Sequence, residues 1–311
     1  MSSLAFFRNK FVPLSEAKIG VMTHAFHYGT SIFEGIRGNW NSTQRQIYIF
    51  RLNEHYKRML NGCRLLKIDL PYTIDELCRI TVELVDRCGF EEDIYIRPLA
   101  YKSSESLGVR LHNLESDFLV FAMPWGPYLD TDKAKCIVSS WRRPDDNVIP
   151  PQIKVAGIYV NNAFAKTEAF ESGFDEAIML SPDGHVSEGS GENIFLVIDG
   201  KLVTPSSYNN ILVGITRDTV IELAREELGL ETIERQIDRS ELYTAQECFL
   251  TGTAAHITAI GEIDHRKISD GEIGEISGKL LKLYADLIRG NNPKYLKWCT
   301  PVYNNDRVKT P

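Results

Sequence analysis

A cluster of proline and glycine near the middle of the chain constrains the fold more than any other feature. Pro124, Gly126 and Pro127 fall within one short segment, and proline and glycine at this density interrupt helices and strands. A chain of 311 residues is long enough for one large domain or two smaller ones. We therefore predict a small N-terminal α/β domain at 1–123, an interdomain linker at 124–133 and a large C-terminal domain at 134–311.

Helix and strand signals alternate irregularly on both sides of this linker. Such alternation predicts an α+β or mixed α/β fold rather than a doubly wound sheet. A capping box at Thr73 and Glu76 predicts the start of one helix, which should stop at Gly89, and Thr216 is the N-cap expected for another. Strands are predicted at 47–51, 93–101, 117–123, 136–140, 175–180 and 193–198, and further helices at 52–66, 216–228 and 277–289.

Charge and short motifs exclude several classes of protein. The formal net charge of -7 argues against nucleic acid or an anionic membrane surface as a partner. The cysteines form no C-x-x-C pair and the histidines no H-E-x-x-H motif, so no metal site is predicted. Scattered free thiols suit a reducing cytoplasm. The N-terminal apolar patch is too short for a signal peptide, and there is no apolar run of about 20 residues that could span a membrane. The sequence therefore predicts a cytoplasmic protein without a membrane span.

Lys154 is the first candidate for chemistry. It is the only charged residue in the proline-entered apolar segment 149–160. A lysine in such a setting is expected to be partly desolvated, which lowers its pKa and makes the amine nucleophilic, as Schiff-base chemistry requires. A lysine that extends its amine to water from a strand edge explains the same pattern, so this segment leaves both interpretations open.

Other candidates have equally plain structural explanations. Glu188 lies beside glycines that permit close backbone approach to a ligand, and Thr216 lies at a helix start that could bind phosphate. Tyr95 and Arg97 are two residues apart on a predicted strand, so both face the same way and could hold a carboxylate. A surface loop, an ordinary N-cap and an exposed arginine explain these patterns when each is taken alone.

The order of the motifs is more specific than any one of them. The sequence contains H-Y-G-T-S-I-F-E-G-I-R (27–37), Y-I-R-P-L (95–99), P-W-G-x-Y-L (124–129), the lysine of I-P-x-x-x-K (149–154), S-E-G-S-G-E-N (187–193), G-I-T-R-D (214–218) and T-G-T-A-A (251–255). In this order and spacing the chain resembles the branched-chain amino-acid aminotransferases, from about residue 8 to about residue 290. The resemblance implies a two-domain fold-type IV (D-amino-acid-aminotransferase-like) pyridoxal-phosphate enzyme, with the cofactor bound in the large C-terminal domain.

The resemblance implies a role for each cofactor-binding position. Lys154 would carry pyridoxal 5′-phosphate as a Schiff base and move the α-proton of the substrate. Glu188 would face the pyridine nitrogen and keep it protonated, since a nearby negative charge favours the cation that serves as electron sink. Tyr159 would bind the ring oxygen. The phosphate would be held by Arg58, Ile215, Thr216 and Thr253.

The resemblance also implies a substrate pocket. Tyr95, with the amides of Thr253 and Ala254, would bind the substrate α-carboxylate, and Arg97 would bind the side-chain carboxylate of glutamate or 2-oxoglutarate. The apolar wall would consist of Phe33, Tyr128 and Tyr159. Tyr28 and Val109 would approach the partner subunit's pocket, which implies a homodimer at least and leaves a trimer of dimers open.

The implied reaction is a ping-pong transamination between leucine, isoleucine or valine and 2-oxoglutarate. A D-amino-acid or (R)-amine aminotransferase is one alternative, against which Tyr95 and Arg97 argue; an aminodeoxychorismate lyase is another, against which the joint presence of Y-I-R-P-L and P-W-G-x-Y-L argues. The sequence departs from the family pattern at Asn9-Lys10, at Val213 and at His256, where an acid is frequent. His256 follows a substrate-binding loop and therefore bears on substrate range.

Overall fold

The computed structural model describes residues 3–126, 131 and 133–304, and these form two compact units. The first unit contains the described residues of Met1–Gly126, Ile153–Gly157 and Asp286–Pro311, and the second those of Pro127–Gln152 and Ile158–Ala285. The division of the sequence into domains at 1–123 and 134–311 stays a prediction. The segment that carries Lys154 nevertheless packs within the first unit.

Helices and strands are numbered along the described part of the chain. The helices are α1 (His24–Tyr28), α2 (Leu52–Leu65), α3 (Ile74–Cys88), α4 (Tyr159–Glu171), α5 (Ile215–Leu228) and α6 (Glu275–Ile288). The strands are β1 (Leu4–Phe7), β2 (Lys10–Pro13), β3 (Ser31–Phe33), β4 (Ile36–Asn41), β5 (Gln46–Phe50), β6 (Ile94–Lys102), β7 (Ser116–Pro124), β8 (Lys133–Arg142), β9 (Glu176–Leu180), β10 (Val186–Gly189), β11 (Asn193–Ile198), β12 (Lys201–Pro205), β13 (Thr232–Arg235), β14 (Glu247–Gly252), β15 (His256–Ile263), β16 (Arg266–Lys267) and β17 (Cys299–Pro301).

The first unit is built on an antiparallel sheet packed against two helices. Its strands lie in the order β17-β5-β4-β6-β7-β1-β2, and β3 pairs with the far end of β6. The predicted capping box of Thr73 and Glu76 is present at the start of α3, and Gly89 ends that helix in the left-handed conformation, as predicted. Both helices bury an apolar stripe that includes Tyr56 and Leu84. The strand β6, which carries Tyr95 and Arg97, lies between β4 and β7 and is paired on both sides.

The second unit is built on a mixed sheet. Its strands lie in the order β10-β9-β8-β15-β14-β11-β12-β13, with β16 beside β15. The pairs β8–β9, β8–β15 and β12–β13 are parallel and the others antiparallel. Asp199 and Gly200 form the turn that joins β11 to β12, with both residues in the left-handed region that such a two-residue turn requires. The mixed sheet and its helices confirm the predicted α+β or mixed α/β class.

Several segments differ from the prediction or were not predicted, and three of them bear on the fold around the site. Gly214, and not Thr216, is the N-cap of α5, so that Thr216 is a buried residue of the first helical turn. The helix α4 was not predicted, because it buries only Asn162 and two alanines and therefore lacks a large apolar stripe. The C-terminal segment, which gave no clear pattern, forms β17 and pairs with β5. Among the described residues, none of the helices has the length and apolar run that a bilayer span would need.

Candidate active site

Lys154 lies next to the short strand β3 in the first unit. The Phe33 amide donates to the Lys154 carbonyl at 3.2 Å, and Val155 forms an antiparallel bridge with Ile32. The lysine side chain is half-buried, and its Nζ lies 5.1 Å from the centroid of the Phe33 ring. The backbone pairing therefore holds the amine beside an aromatic face, a position that suits a cation and excludes water from one side.

Tyr95 and Arg97 form a pair on β6, as their spacing predicts. Nη2 of Arg97 donates to the Tyr95 hydroxyl at 3.0 Å, and the guanidinium lies 4.7 Å from the centroid of Phe33. The Nε atom of Arg97 is buried and has no hydrogen-bond partner among the described residues. A buried donor that lacks an acceptor is costly, so this guanidinium is suited to an incoming anion.

Arg58 belongs to a buried ionic cluster on α2. Its Nε and Nη2 each donate at 2.7 Å to one oxygen of Glu34, and Nδ1 of His55 lies 2.8 Å from the same carboxylate. Burial by itself would raise the pKa of the Glu34 carboxyl, but the charge of Arg58 and the bonds from both partners hold it at about 2. Burial also lowers the pKa of His55, against the opposing effect of Glu34. The cluster therefore consists of an anion, a cation and a neutral imidazole.

Sequence reasoning missed Glu34 and His55. A signal was present for each: His55 and Arg58 are three apart on one helix face, and Glu34 lies inside the first motif. Glu34 and His55 are more than twenty positions apart in the chain, so only the packing of β3 against α2 reveals their contact.

Glu188 is clamped within the second unit. It lies on β10 and is 5% exposed, so a surface loop does not describe its position. One oxygen is 3.0 Å from Nε of Arg143, and the other accepts from Asn193 and from the Leu212 amide at 3.0 Å each. Three donors hold this carboxylate in one orientation, which is what a group that must meet a ring nitrogen requires. Arg143 and Asn193 were not identified from the sequence.

The start of α5 provides a place for an anion in the second unit. Ile215 and Thr216 are its first two residues, and the first amides of a helix have no intrahelical acceptor. The Thr216 hydroxyl lies 3.4 Å from the Tyr284 hydroxyl, and the ring of Tyr284 is 5.7 Å from that of His256. His256 begins β15 with a left-handed backbone.

The remaining candidate residues lie as follows. Thr253 and Ala254 form the half-buried turn between β14 and β15, and Tyr159 is the first residue of α4. The Tyr28 hydroxyl accepts from the Gly108 amide, and Val109 is 93% exposed. Tyr128 lies outside the described residues. The first unit thus contains Tyr28, Phe33, Arg58, Tyr95, Arg97, Val109 and Lys154, and the second Tyr159, Glu188, Ile215, Thr216, Thr253 and Ala254.

Comparison with known proteins identifies the family. A model described as amino-transferase class IV matches residues 31–263. The chain belongs to the class IV aminotransferases. It is 52% identical over 301 residues to a probable branched-chain-amino-acid aminotransferase of Aquifex aeolicus, and the match covers 96% of this chain and 97% of that one. The predicted family and enzyme class are confirmed.

Two solved structures agree with this class IV aminotransferase in fold. The branched-chain aminotransferase of Thermoproteus uzoniensis, with norvaline, has a TM-score of 0.93 and 42% identity, over 97% of this chain and 100% of that one. The branched-chain amino acid aminotransferase of Thermobaculum terrenum, in its PLP-form (holo-form), has a TM-score of 0.93 and 38% identity, over 97% of this chain and 99% of that one. The predicted fold-type IV architecture is confirmed.

Class IV aminotransferases use pyridoxal 5′-phosphate, and the residues of this chain fit that cofactor. A primary amine is present at Lys154, beside an aromatic ring. Glu188 is a buried, oriented carboxylate suited to a pyridine nitrogen. The guanidinium of Arg58 and the helix start at Ile215 are groups that bind phosphate. The predicted cofactor is confirmed.

Proposed function

We propose that this chain catalyses amino-group exchange between the branched-chain L-amino acids leucine, isoleucine and valine and 2-oxoglutarate, by a ping-pong mechanism. The observation that carries the proposal is the pair of Tyr95 and Arg97 beside the Phe33 ring, since it combines carboxylate-binding donors with an apolar surface. The names of the relatives that match the chain along its length support the same substrates.

Lys154 would attach the cofactor and act as acid and base. Bound pyridoxal 5′-phosphate supplies the electron sink that makes the α-proton of an amino acid removable. The amine of Lys154 would take this proton from the substrate Cα and later return it. A half-buried amine beside Phe33 has restricted access to water, which favours proton transfer to substrate over exchange with solvent.

The other cofactor-binding residues would hold and orient it. Glu188 would bind the protonated ring nitrogen, since three donors already hold its carboxylate in place. Tyr159 would donate to the ring oxygen. The phosphate would be bound by Arg58, Ile215, Thr216 and Thr253.

Substrate selection requires one pocket to accept an aliphatic side chain in one half-reaction and a carboxylate in the other. Tyr95, with the amides of Thr253 and Ala254, would bind the α-carboxylate common to all substrates. Arg97 would bind the second carboxylate, and its unsatisfied Nε supports this role. The aliphatic side chain would contact Phe33, Tyr159 and Tyr128.

A half-reaction experiment tests the proposal. Purified holoenzyme should lose the absorbance of the pyridoxal form on addition of L-leucine, L-isoleucine or L-valine, and 2-oxoglutarate should restore it. Conversion by D-alanine or an (R)-amine, with none by the three L-amino acids, would favour the D-amino-acid or (R)-amine alternative. Pyruvate released from aminodeoxychorismate would favour the lyase.

Assembly and location complete the proposal. Apolar side chains are exposed on the first unit near Tyr28, namely Ile19, Val21, Met22, Phe26, Leu107 and Val109, and such a group of residues is typical of a protein interface. A homodimer, or a trimer of dimers, would cover them and bring Tyr28 and Val109 to the partner's pocket. Light scattering of the holoenzyme measures the assembly.

Six free cysteines support a reducing cytoplasm as the location.

A further inference from the structure

Gly35 lies directly against the Tyr95 hydroxyl. A Cβ atom at position 35 would lie 2.1 Å from Oη of Tyr95, 2.9 Å from Cζ and 3.2 Å from Cε2. Atoms that are not bonded do not approach to 2.1 Å, so any side chain at this position requires the tyrosine to move. The residue joins β3 to β4 and directly follows Glu34.

The backbone at Gly35 does not require glycine. The φ angle of Gly35 is not positive, so this angle does not exclude an alanine. A side chain at this position is therefore restricted by its contact with Tyr95.

Tyr95 has little freedom to move aside. Its ring lies 5.4 Å from the ring of Trp125, and the guanidinium of Arg97 lies 5.1 Å from its centroid. Its hydroxyl accepts from Nη2 of Arg97 at 3.0 Å. Arg37 is its direct partner across the β4–β6 pair and so faces the same side of the sheet. A shift of the hydroxyl away from Gly35 would therefore alter its hydrogen bond with Arg97 and the packing of its ring against Trp125.

We propose that Gly35 is a specificity-determining residue. Because it has no side chain, the Tyr95 hydroxyl can lie where it contacts both Arg97 and the substrate α-carboxylate, and it thereby couples recognition of the two carboxylates of a dicarboxylate substrate. The inference rests on the proposed function, in which Tyr95 binds the α-carboxylate and Arg97 the second carboxylate. The hydroxyl accepts a hydrogen bond from Arg97 and donates its own hydrogen to the α-carboxylate, so each bond strengthens the other. Displacement of one oxygen atom disturbs both carboxylate sites at once.

The proposal predicts unequal effects on the two substrate classes. Leucine depends on Tyr95 for its α-carboxylate and uses apolar contacts for its side chain. Glutamate depends on Tyr95 and on Arg97. Gly35→Ala should therefore weaken dicarboxylate binding more than monocarboxylate binding, although it removes no polar group.

The test uses two unreactive carboxylates and the holoenzyme. Glutarate carries two carboxylates, and 4-methylvalerate carries one carboxylate and a branched aliphatic chain. Their dissociation constants are measured from the change in cofactor absorbance. In Gly35→Ala we expect about tenfold weaker binding of 4-methylvalerate, as for one lost charge-assisted hydrogen bond, and a larger loss for glutarate. The matched control is Gly278→Ala on α6, where an added Cβ would make an ordinary contact of 3.6 Å with Ile273.

A double-mutant cycle separates an effect through Tyr95 from a general disturbance. Tyr95→Leu removes the hydroxyl and the ring atoms that lie within 3.2 Å of a Cβ at position 35, so Gly35→Ala should weaken binding less than twofold in that background. Equal losses in both backgrounds, or a Gly35→Ala enzyme that binds both probes as wild type does, would overturn the proposal. If Gly35→Ala fails to fold, the double variant should fold. If neither folds, glycine is required for another reason and the proposal is wrong.

Failure of the proposed function has a different signature. A wild-type enzyme that does not bind glutarate and does not react with L-glutamate contradicts the dicarboxylate site itself, and the inference fails with it. A wild-type enzyme that binds glutarate while Gly35→Ala retains the wild-type ratio of the two dissociation constants contradicts only the role of Gly35.

Discussion

Glu34 and Arg58 form a two-point ion pair in which the glutamate side chain is fully buried and the arginine side chain is 17% exposed. Two parallel bonds of 2.7 Å hold the planar guanidinium in one orientation. If Arg58 binds the cofactor phosphate, as proposed above, Glu34 acts as a positioning residue that reaches the phosphate only through Arg58.

Glu34→Gln should reduce both stability and cofactor affinity. The amide places an N–H₂ group against one of the two guanidinium donors and leaves Arg58 without its counter-charge. Breaking a buried pair in this way costs about 3 kcal/mol of unfolding free energy, measured by denaturant unfolding, and cofactor titration should give a larger dissociation constant. The control is Glu83→Gln, which breaks the exposed Glu83–Arg87 pair on α3 and should cost less than about 1 kcal/mol. Equal losses in both variants would contradict the role of the buried pair.

The pH dependence of stability should carry the signature of Glu34. Its pKa is about 2 in the folded protein against 4.5 as the ordinary value. A lowered pKa contributes stability that is present above pH 4.5 and is lost as the pH falls towards 2. Over that range the stability difference between wild type and Glu34→Gln should therefore shrink by about 3 kcal/mol. Unfolding curves at pH 6, 4.5 and 3 measure the part of this loss that occurs by pH 3, about 2 kcal/mol. A difference that does not change with pH would show that Glu34 is not the ionised group.

The sequence predicted much of the framework around these residues, because local patterns specify it. The helix α2, the capped helix α3 and the strands β6 and β11 lie within a residue or two of their predicted bounds. The shared face of Tyr95 and Arg97 follows from strand geometry alone. The family and cofactor followed from the order of seven motifs.

The rest depended on tertiary contacts that no local pattern contains. Glu34 contacts His55 and Arg58, which lie more than twenty positions further along the chain, and no local pattern indicates these contacts. Threonine and glycine are about equally favourable as N-cap residues, so intrinsic preference does not choose between Thr216 and Gly214, and Gly214 takes that position. A side chain on residue 214 would meet the Asn193 amide oxygen at 2.0 Å, so packing rather than capping preference decides this helix start.

Glu192 should make the protein less stable as the pH rises. Burial, and then the negative charge of Glu176, raises the pKa of Glu192 to about 8. A raised pKa contributes stability that is complete below pH 4.5 and is lost as the pH rises through 8. Glu192→Gln keeps the shape of the neutral acid and has no charge to gain. The variant should therefore match wild type near pH 4.5 and exceed its unfolding free energy at pH 8 by a few kcal/mol. Glu231→Gln, at an exposed position, is the control. If the unfolding free energy of Glu192→Gln falls with pH as steeply as that of wild type, the raised pKa does not belong to Glu192.

Adjacent arginines at the end of β8 should differ sharply in their effect on Glu188. Arg143 is 3% exposed and bonded to Glu188, whereas Arg142 is exposed and donates to the Pro182 carbonyl. Arg143→Gln should lower kcat/KM for L-leucine about tenfold, as for one lost charge-assisted bond, and should shift the absorbance of the bound cofactor. Arg142→Gln should leave both unchanged. Similar behaviour of the two variants would mean that Arg143 does not orient Glu188.

Replacement of Lys154 should remove the covalent bond between protein and cofactor. Borohydride reduction of wild-type holoenzyme should add one reduced cofactor to the peptide that contains Lys154, detected by intact and peptide mass. Lys154→Ala should gain no such mass, and its rate of amino-group exchange should fall by at least about a thousandfold, because the acid–base group is lost with the attachment point. Lys154→Arg keeps a cation beside Phe33 but cannot form the bond, so it should be equally inactive. Lys57→Ala, an exposed lysine on α2, should behave as wild type. Reductive labelling that persists in Lys154→Ala would assign the cofactor to another lysine and would remove the basis for every role proposed around this residue.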